Sequence, residues 1–179
     1  MSLLQRLHHF FIKPVVEPPV AELYAACVDQ ARQVEFYQDL QVADTIDGRF
    51  DLLLLHVFLL MYRLHEAGAL KQQLFDLMFA DMDRNLREMG VGDMSVGKKI
   101  RPMISAFYGR GKAYQKALGE SDGALAATLG RNLYGNRQVS PEILQHMTSY
   151  VRRAAASLEN QNLADIMNGK VTFAEPLFK

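Results

Sequence analysis

Leu52-Leu53-Leu54-Leu55-His56-Val57-Phe58-Leu59-Leu60-Met61 holds a single polar side chain. At about 100° per residue, a helix over Phe50 to Leu64 carries apolar groups on every side, so it must be enclosed by others. A membrane span would need about 20 mostly apolar residues, and Arg49, Asp51, His56 and Arg63 hold the run short of that. The fold expected is therefore all-α, a single-domain helical bundle of about seven helices around this buried central helix.

The remaining chain supplies the wrapping. Val20, Leu23, Tyr24, Cys27, Val28 and Ala31 recur at helical spacing, and Glu35 to Leu40 forms a short segment. Asp44, Thr45 and Asp47 are candidate caps for the central helix, which should end near Ala67-Gly68. From Leu70 to Met89 the apolar residues Leu74, Phe75, Met78, Phe79, Met82, Leu86 and Met89 share one arc of roughly 140°. Gly90 is placed to stop that helix. A helix over Ser95 to Leu118 follows, with a kink expected at Pro102. Gly109 and Gly111 inside it cost roughly 1 kcal/mol each against alanine unless another backbone approaches closely. Ser121-Asp122 and Ser140-Pro141-Glu142 open two more helices, and Gln161 to Met167 is a last short one.

At the N-terminus, residues 1–13 form an expected amphipathic helix whose stripe of Leu3, Leu4, Leu7, Phe10 and Phe11 suits a docked helix or a peripheral membrane contact. Residues 14–19 read as a proline-rich linker, 20–170 as the domain and 171–179 as a tail lying extended on the surface.

Twenty Lys+Arg balance twenty Asp+Glu, so no long-range field draws the chain to nucleic acid or an anionic membrane. Any such contact needs a local patch. Lys98, Lys99 and Arg101, followed by Arg110 and Lys112, form the densest basic cluster. One cysteine, Cys27, rules out an intrachain disulfide and a cysteine zinc cluster, and its place on an apolar stripe makes it a core residue.

Asp76, Asp81, Asp83 and Glu88 could suggest the aspartate clusters by which helical prenyl-transfer enzymes hold magnesium. Asp76 and Asp83 lie within roughly 20° of each other on the wheel, but Asp81 is about 140° from Asp76, and Asp83 pairs more naturally with Arg87 at i,i+4. These groups read as a solvated face. His56 and His65 point to nearly opposite sides and share no metal; His56 reads as a hydrogen-bonded interior histidine. Phosphate-binding glycine loops, nucleophile elbows and zinc spacings are missing, so catalysis has no support and neither a metal nor a cofactor is expected.

Phe75-Asp76-Leu77-Met78-Phe79-Ala80-Asp81-Met82-Asp83-Arg84-Asn85-Leu86-Arg87-Glu88-Met89-Gly90-Val91-Gly92-Asp93, with Val96-Gly97-Lys98-Lys99 and Ala106-Phe107-Tyr108-Gly109-Arg110 behind it, resembles the ubiquinol-cytochrome c chaperone family. Phe36-Tyr37, Asp44-Thr45 and Asp47-Gly48-Arg49-Phe50-Asp51 are similar to that family's pattern too. The resemblance implies a non-enzymatic assembly factor that binds newly made cytochrome b and helps it into the respiratory bc1 complex. It implies a bacterial member, cytoplasmic beside the inner membrane, since no transit peptide is seen. Such a chaperone needs an apolar or Met-rich groove with charged rims. The expected rim is Asp83, Arg84, Arg87, Glu88, Lys98, Lys99 and Arg110. The competing reading is a helical protein that binds or processes isoprenoid or quinone lipids.

Overall fold

The structure is a computed structural model that describes residues 17–135 and 137–176. Eight helices run in chain order: α1 (Pro18–Ala31), α2 (Glu35–Gln38), α3 (Ile46–Arg63), α4 (Gly68–Glu88), α5 (Asp93–Leu118), α6 (Asp122–Asn132), α7 (Pro141–Asn160) and α8 (Leu163–Met167). No strand occurs among the described residues. The expected N-terminal helix, with Leu3, Leu4, Leu7, Phe10 and Phe11, lies outside the described residues.

The central helix is where the leucine run places it. Every residue from Phe50 to Leu60 is buried, and Leu52, Leu54, Leu55 and Leu60 have no solvent exposure at all. Removing each such side chain from water stabilises the fold by about 1.5–3 kcal/mol before chain entropy is charged. The helix begins one turn earlier than Phe50 because Thr45 caps it, its Oγ1 accepting the Gly48 N–H at 3.1 Å. Helices α1, α5 and α7 pack directly on α3, while α4 bridges α1 and α5, and α6 bridges α5 and α7. From α4 to α7 each helix packs on the next in the chain, whereas α1 on α3, α1 on α4, α3 on α5 and α3 on α7 are pairings that skip at least one element.

Caps elsewhere fall on the expected hydroxyls. Ser121 Oγ accepts from Ala124 N–H and Ser140 Oγ from Ile143 N–H at 3.2 Å. Gly90 follows α4 at φ +83°, a left-handed conformation that side-chain-bearing residues rarely adopt.

Two expectations, the bound of the proline-rich linker and the course of the tail, need correction, and the surroundings of Pro102 and of the α5 glycines can be described. Pro18 and Pro19 belong to the first turn of α1 and not to a linker, since a missing N–H costs nothing where no acceptor precedes it. Helix α5 is continuous through the exposed Pro102. No backbone approaches Gly109 or Gly111: a Cβ at Gly109 would meet nothing within 4 Å, and at Gly111 only the Phe58 ring at 3.7 Å. The described part of the tail, residues 171–176, is anchored in the bundle and does not simply lie on its surface. Phe173 is buried edge-on against His56, with ring centroids 5.4 Å apart, and Gln161 holds Thr172 through two hydrogen bonds.

Beneath that tail a polar chain crosses the core. The carbonyl of Leu52 can only accept, so Nδ1 of the fully buried His56 donates to it at 2.8 Å. Nε2 is then left to accept the Tyr150 hydroxyl proton at 2.6 Å. The Tyr150 oxygen in turn accepts from Gln30 Nε2, which also donates to the Ala174 carbonyl at 2.8 Å. Burial holds the imidazole neutral, lowering its pKa to about 4. The expectation of an interior, hydrogen-bonded histidine is thus met. Cys27 is likewise buried, and the same loss of solvent pushes its thiol well up, out of the reactive range.

Candidate functional site

One face of the bundle is open. Between α1, the N-terminal end of α3 and the C-terminal half of α4 runs a cleft of about 660 Å³. Its lining includes Val28, Phe50, Leu53 and Leu86, with Met82, Met89 and Met103 contributed by α4 and α5. Methionine side chains are unbranched and polarizable, so a wall rich in them adapts to varied apolar surfaces. Val34, Ile46 and Met89 are large apolar groups left 50%, 58% and 51% exposed, and all three stand in this lining. Among the described residues the other large apolar side chains left exposed, Tyr62, Met94, Tyr108 and Met167, do not line this cleft, whereas these three gather around one opening, as a surface made to be covered would have them.

Charge surrounds it. Arg32, Arg49 and Asp44 line the side made by α1 and α3, and Asp81 and Glu88 the α4 side. Arg49 is paired with Asp44 at 2.5 Å and lies 6.0 Å from the Tyr37 ring centre, and that contact holds the Asp44 carboxyl below its ordinary range. Asp81 accepts from the Tyr24 hydroxyl at 2.9 Å, from Asn85 and from Arg84, which ties α4 to α1 along the cleft edge. Burial, and then the Asp81 carboxylate, push the Tyr24 phenol far up, so it stays a donor at any physiological pH.

The expected rim residues do not form one rim. Glu88 alone of the seven lines the cleft. Arg87 bridges Asp83, at 2.6 Å, and Asp93, clamping the end of α4 to the first turn of α5. Arg84 pairs with Asp81. Lys98 and Lys99 are exposed on α5. Arg110 is a correction: it turns inward to Asp51 of α3, a pair whose side chains are only 25% and 11% exposed. The burial outweighs Arg110's attraction, and Asp47 adds to it, so the Asp51 carboxyl is pushed up to about 6. Reading α4 as a two-faced helix assigned Met82 and Met89 to the core arc and the aspartates to solvent. Asp81 and the methionines instead share the cleft, whose walls are set by how α1, α3, α4 and α5 assemble. Arg32, Arg49 and Ile46 were missed altogether, since nothing in their local spacing says that three helices leave a gap there.

The family pattern now has physical content. Asp44, Thr45, Gly48 and Arg49 build the cap of α3, Asp81 ties α4 to α1, and Asp83, Arg87 and Asp93 fix the turn between α4 and α5. The sequence profile of the ubiquinol-cytochrome C chaperone matches residues 38–173, which includes nearly all of these positions. The chain belongs to the ubiquinol-cytochrome c chaperone family. Relatives include ubiquinol-cytochrome c reductase complex assembly factor 1 of Homo sapiens, 27% identical over 156 residues, which cover 84% of this chain and 52% of the relative. Protein CBP3, mitochondrial, of Saccharomyces cerevisiae is 26% identical over 195 residues, 98% of this chain and 58% of the relative. This chain thus spans about half the length of those two proteins. The crystal structure of the Cbp3 homolog from Brucella abortus superposes with a TM-score of 0.80 at 32% identity, over 97% of this chain and 96% of that one. The all-helical, single-domain fold is therefore that of the chaperone family.

Proposed function

We propose that this protein is a non-enzymatic assembly factor of the respiratory bc1 complex and that its cleft receives an apolar helical segment of newly made cytochrome b. The observation that carries the proposal is the meeting of Val34, Ile46 and Met89, each about half exposed, over a methionine-rich floor. A helix laid in such a groove contributes one apolar face, and the charges around the groove orient its ends. Membership of the chaperone family and the names of its relatives support the same reading. No described helix is long and apolar enough to cross a membrane. In the function proposed here the protein works as a peripheral partner at the cytoplasmic side of the inner membrane, taking hold of a client that does cross.

Capture is tested by affinity purification of the full chain from a respiring culture, with bound cytochrome b measured by immunoblot. Placing carboxylates in the groove, as Val34→Asp with Met89→Asp, is expected to lower recovery about 10-fold or more, because both side chains would bury a charge on docking. Thermal unfolding should shift little, since both positions are half exposed. Undiminished recovery would overturn the reading. A cleft of this volume also suits a quinone-class lipid. Mass spectrometry of the purified protein separates the two: stoichiometric lipid lost in the same double variant would favour the lipid.

A further inference from the structure

Helix α5 carries a second surface unlike any other in the molecule. Between Asp93 and Glu120 the sequence contains no acidic residue, yet it contains Lys98, Lys99, Arg101, Arg110, Lys112 and Lys116. In a chain with no net charge, six cations without an anion among them are a local concentration of one sign. Arg110 is drawn inward by Asp51, and Lys116 lies 3.8 Å from Glu120. Among the described residues, no ion pair engages Lys98, Lys99, Arg101 or Lys112, and all four are exposed.

Their spacing lines them up. At 100° per residue Met94, Lys98, Arg101, Lys112 and Lys116 fall within about 60° of one another, and Lys98 to Lys116 spans about 27 Å along the axis. The middle of that row holds Ser105, with Gly109 on one flank and the partly exposed Tyr108 on the other. At its head Met94 is 89% exposed, an apolar group held out among cations.

We propose that the outward face of α5 is a docking surface for an anionic lipid bilayer. A straight row of cations able to reach phosphate headgroups independently, with one protruding apolar side chain, suits a flat fluid surface that offers charge without fixed geometry. RNA would present phosphates too, but single-strand binding stacks successive bases on several aromatic rings, and the face offers one partly exposed ring, Tyr108, which also packs on Phe75 and Phe107. The inference supplies the surface for the peripheral position proposed above, but it is argued from the charge map and tested without cytochrome b. Either can fail without the other.

The test is co-sedimentation of the full chain with vesicles of phosphatidylcholine, alone or with about one-third phosphatidylglycerol. Binding is expected only to the anionic vesicles and should weaken steeply as salt shortens the screening length. At about 1 kcal/mol per basic residue near the surface, the triple variant K98E/R101E/K112E should lose roughly 100-fold or more in partitioning, with its circular dichroism unchanged. A control with Arg131→Glu and Lys170→Glu, exposed residues elsewhere, should keep its binding. The chain has no tryptophan, so Met94→Trp gives a single reporter whose emission should move to the blue on anionic vesicles. Full binding by the triple variant would overturn the proposal, as would binding lost only when residues 1–13 are removed. Stripe-dependent capture of single-stranded RNA without vesicle binding would overturn it in favour of a nucleic-acid face.

Discussion

Gly48→Ala is expected to cost about 4 kcal/mol or to prevent folding outright. A Cβ at this position would lie 2.1 Å from the Ala43 carbonyl oxygen and 2.9 Å from the carbonyl carbon and Cβ of the same residue. Those atoms are main chain or rooted on it, so no rotamer change relieves the clash. The backbone cannot retreat cheaply either, because the Gly48 N–H is the group that Thr45 caps and Arg49 is tied back to Asp44. Gly109→Ala makes the same chemical change where nothing lies within 4 Å, and there the gain in helix propensity should stabilise by up to about 1 kcal/mol. Urea unfolding of the two variants checks both signs. A Gly48→Ala protein within 0.5 kcal/mol of the parent would show that the start of α3 is not fixed as described.

The second large effect depends on pH. His56 has a folded pKa of about 4 against an ordinary 6.5, so between those values the unfolded chain binds the extra proton. Its contribution is fully present above pH 6.5 and is lost as pH falls through the window toward 4, to a total of about 3 kcal/mol. Asp51 acts with the opposite sign. Its pKa rises from 3.8 to about 6, so the folded state binds the proton there and stability declines as pH rises through that range. The two slopes nearly offset in the parent, which should look flat between pH 4 and 6 as far as these groups decide. His56→Phe removes one of them. The stability difference between parent and variant should therefore shrink by about 3 kcal/mol from pH 7 to pH 4, read as the gap between their denaturation midpoints. A gap independent of pH would mean that His56 is charged, or solvated, in the fold.

The architecture was legible because the leucine run admits a single physical solution. Fifteen residues apolar on all sides must be enclosed, and the caps at Ser121 and Ser140 and the stop at Gly90 mark local hydrogen-bonding needs that the sequence states residue by residue. The cleft was not legible. Whether Met89 is core or lip depends on which neighbours α4 has along its length, a property of the assembled bundle that periodicity does not encode. Arg110 shows the same limit: it stands in a basic run, yet the partner that claims it, Asp51, is 59 residues away on the central helix. The tail was misread because a short segment without periodicity looks like surface. Phe173 and the carbonyl of Ala174 find their partners only after α1, α3 and α7 have met.

That last dependence sets a schedule for synthesis. Gln30 and Ala174 are 144 residues apart, so the bond that completes the polar chain through the core waits until Ala174 has left the ribosome. Until then Tyr150 and His56 form an unfinished pair beneath an uncovered seam. Through that whole interval α1 lacks the bond that fastens it to the segment after α8.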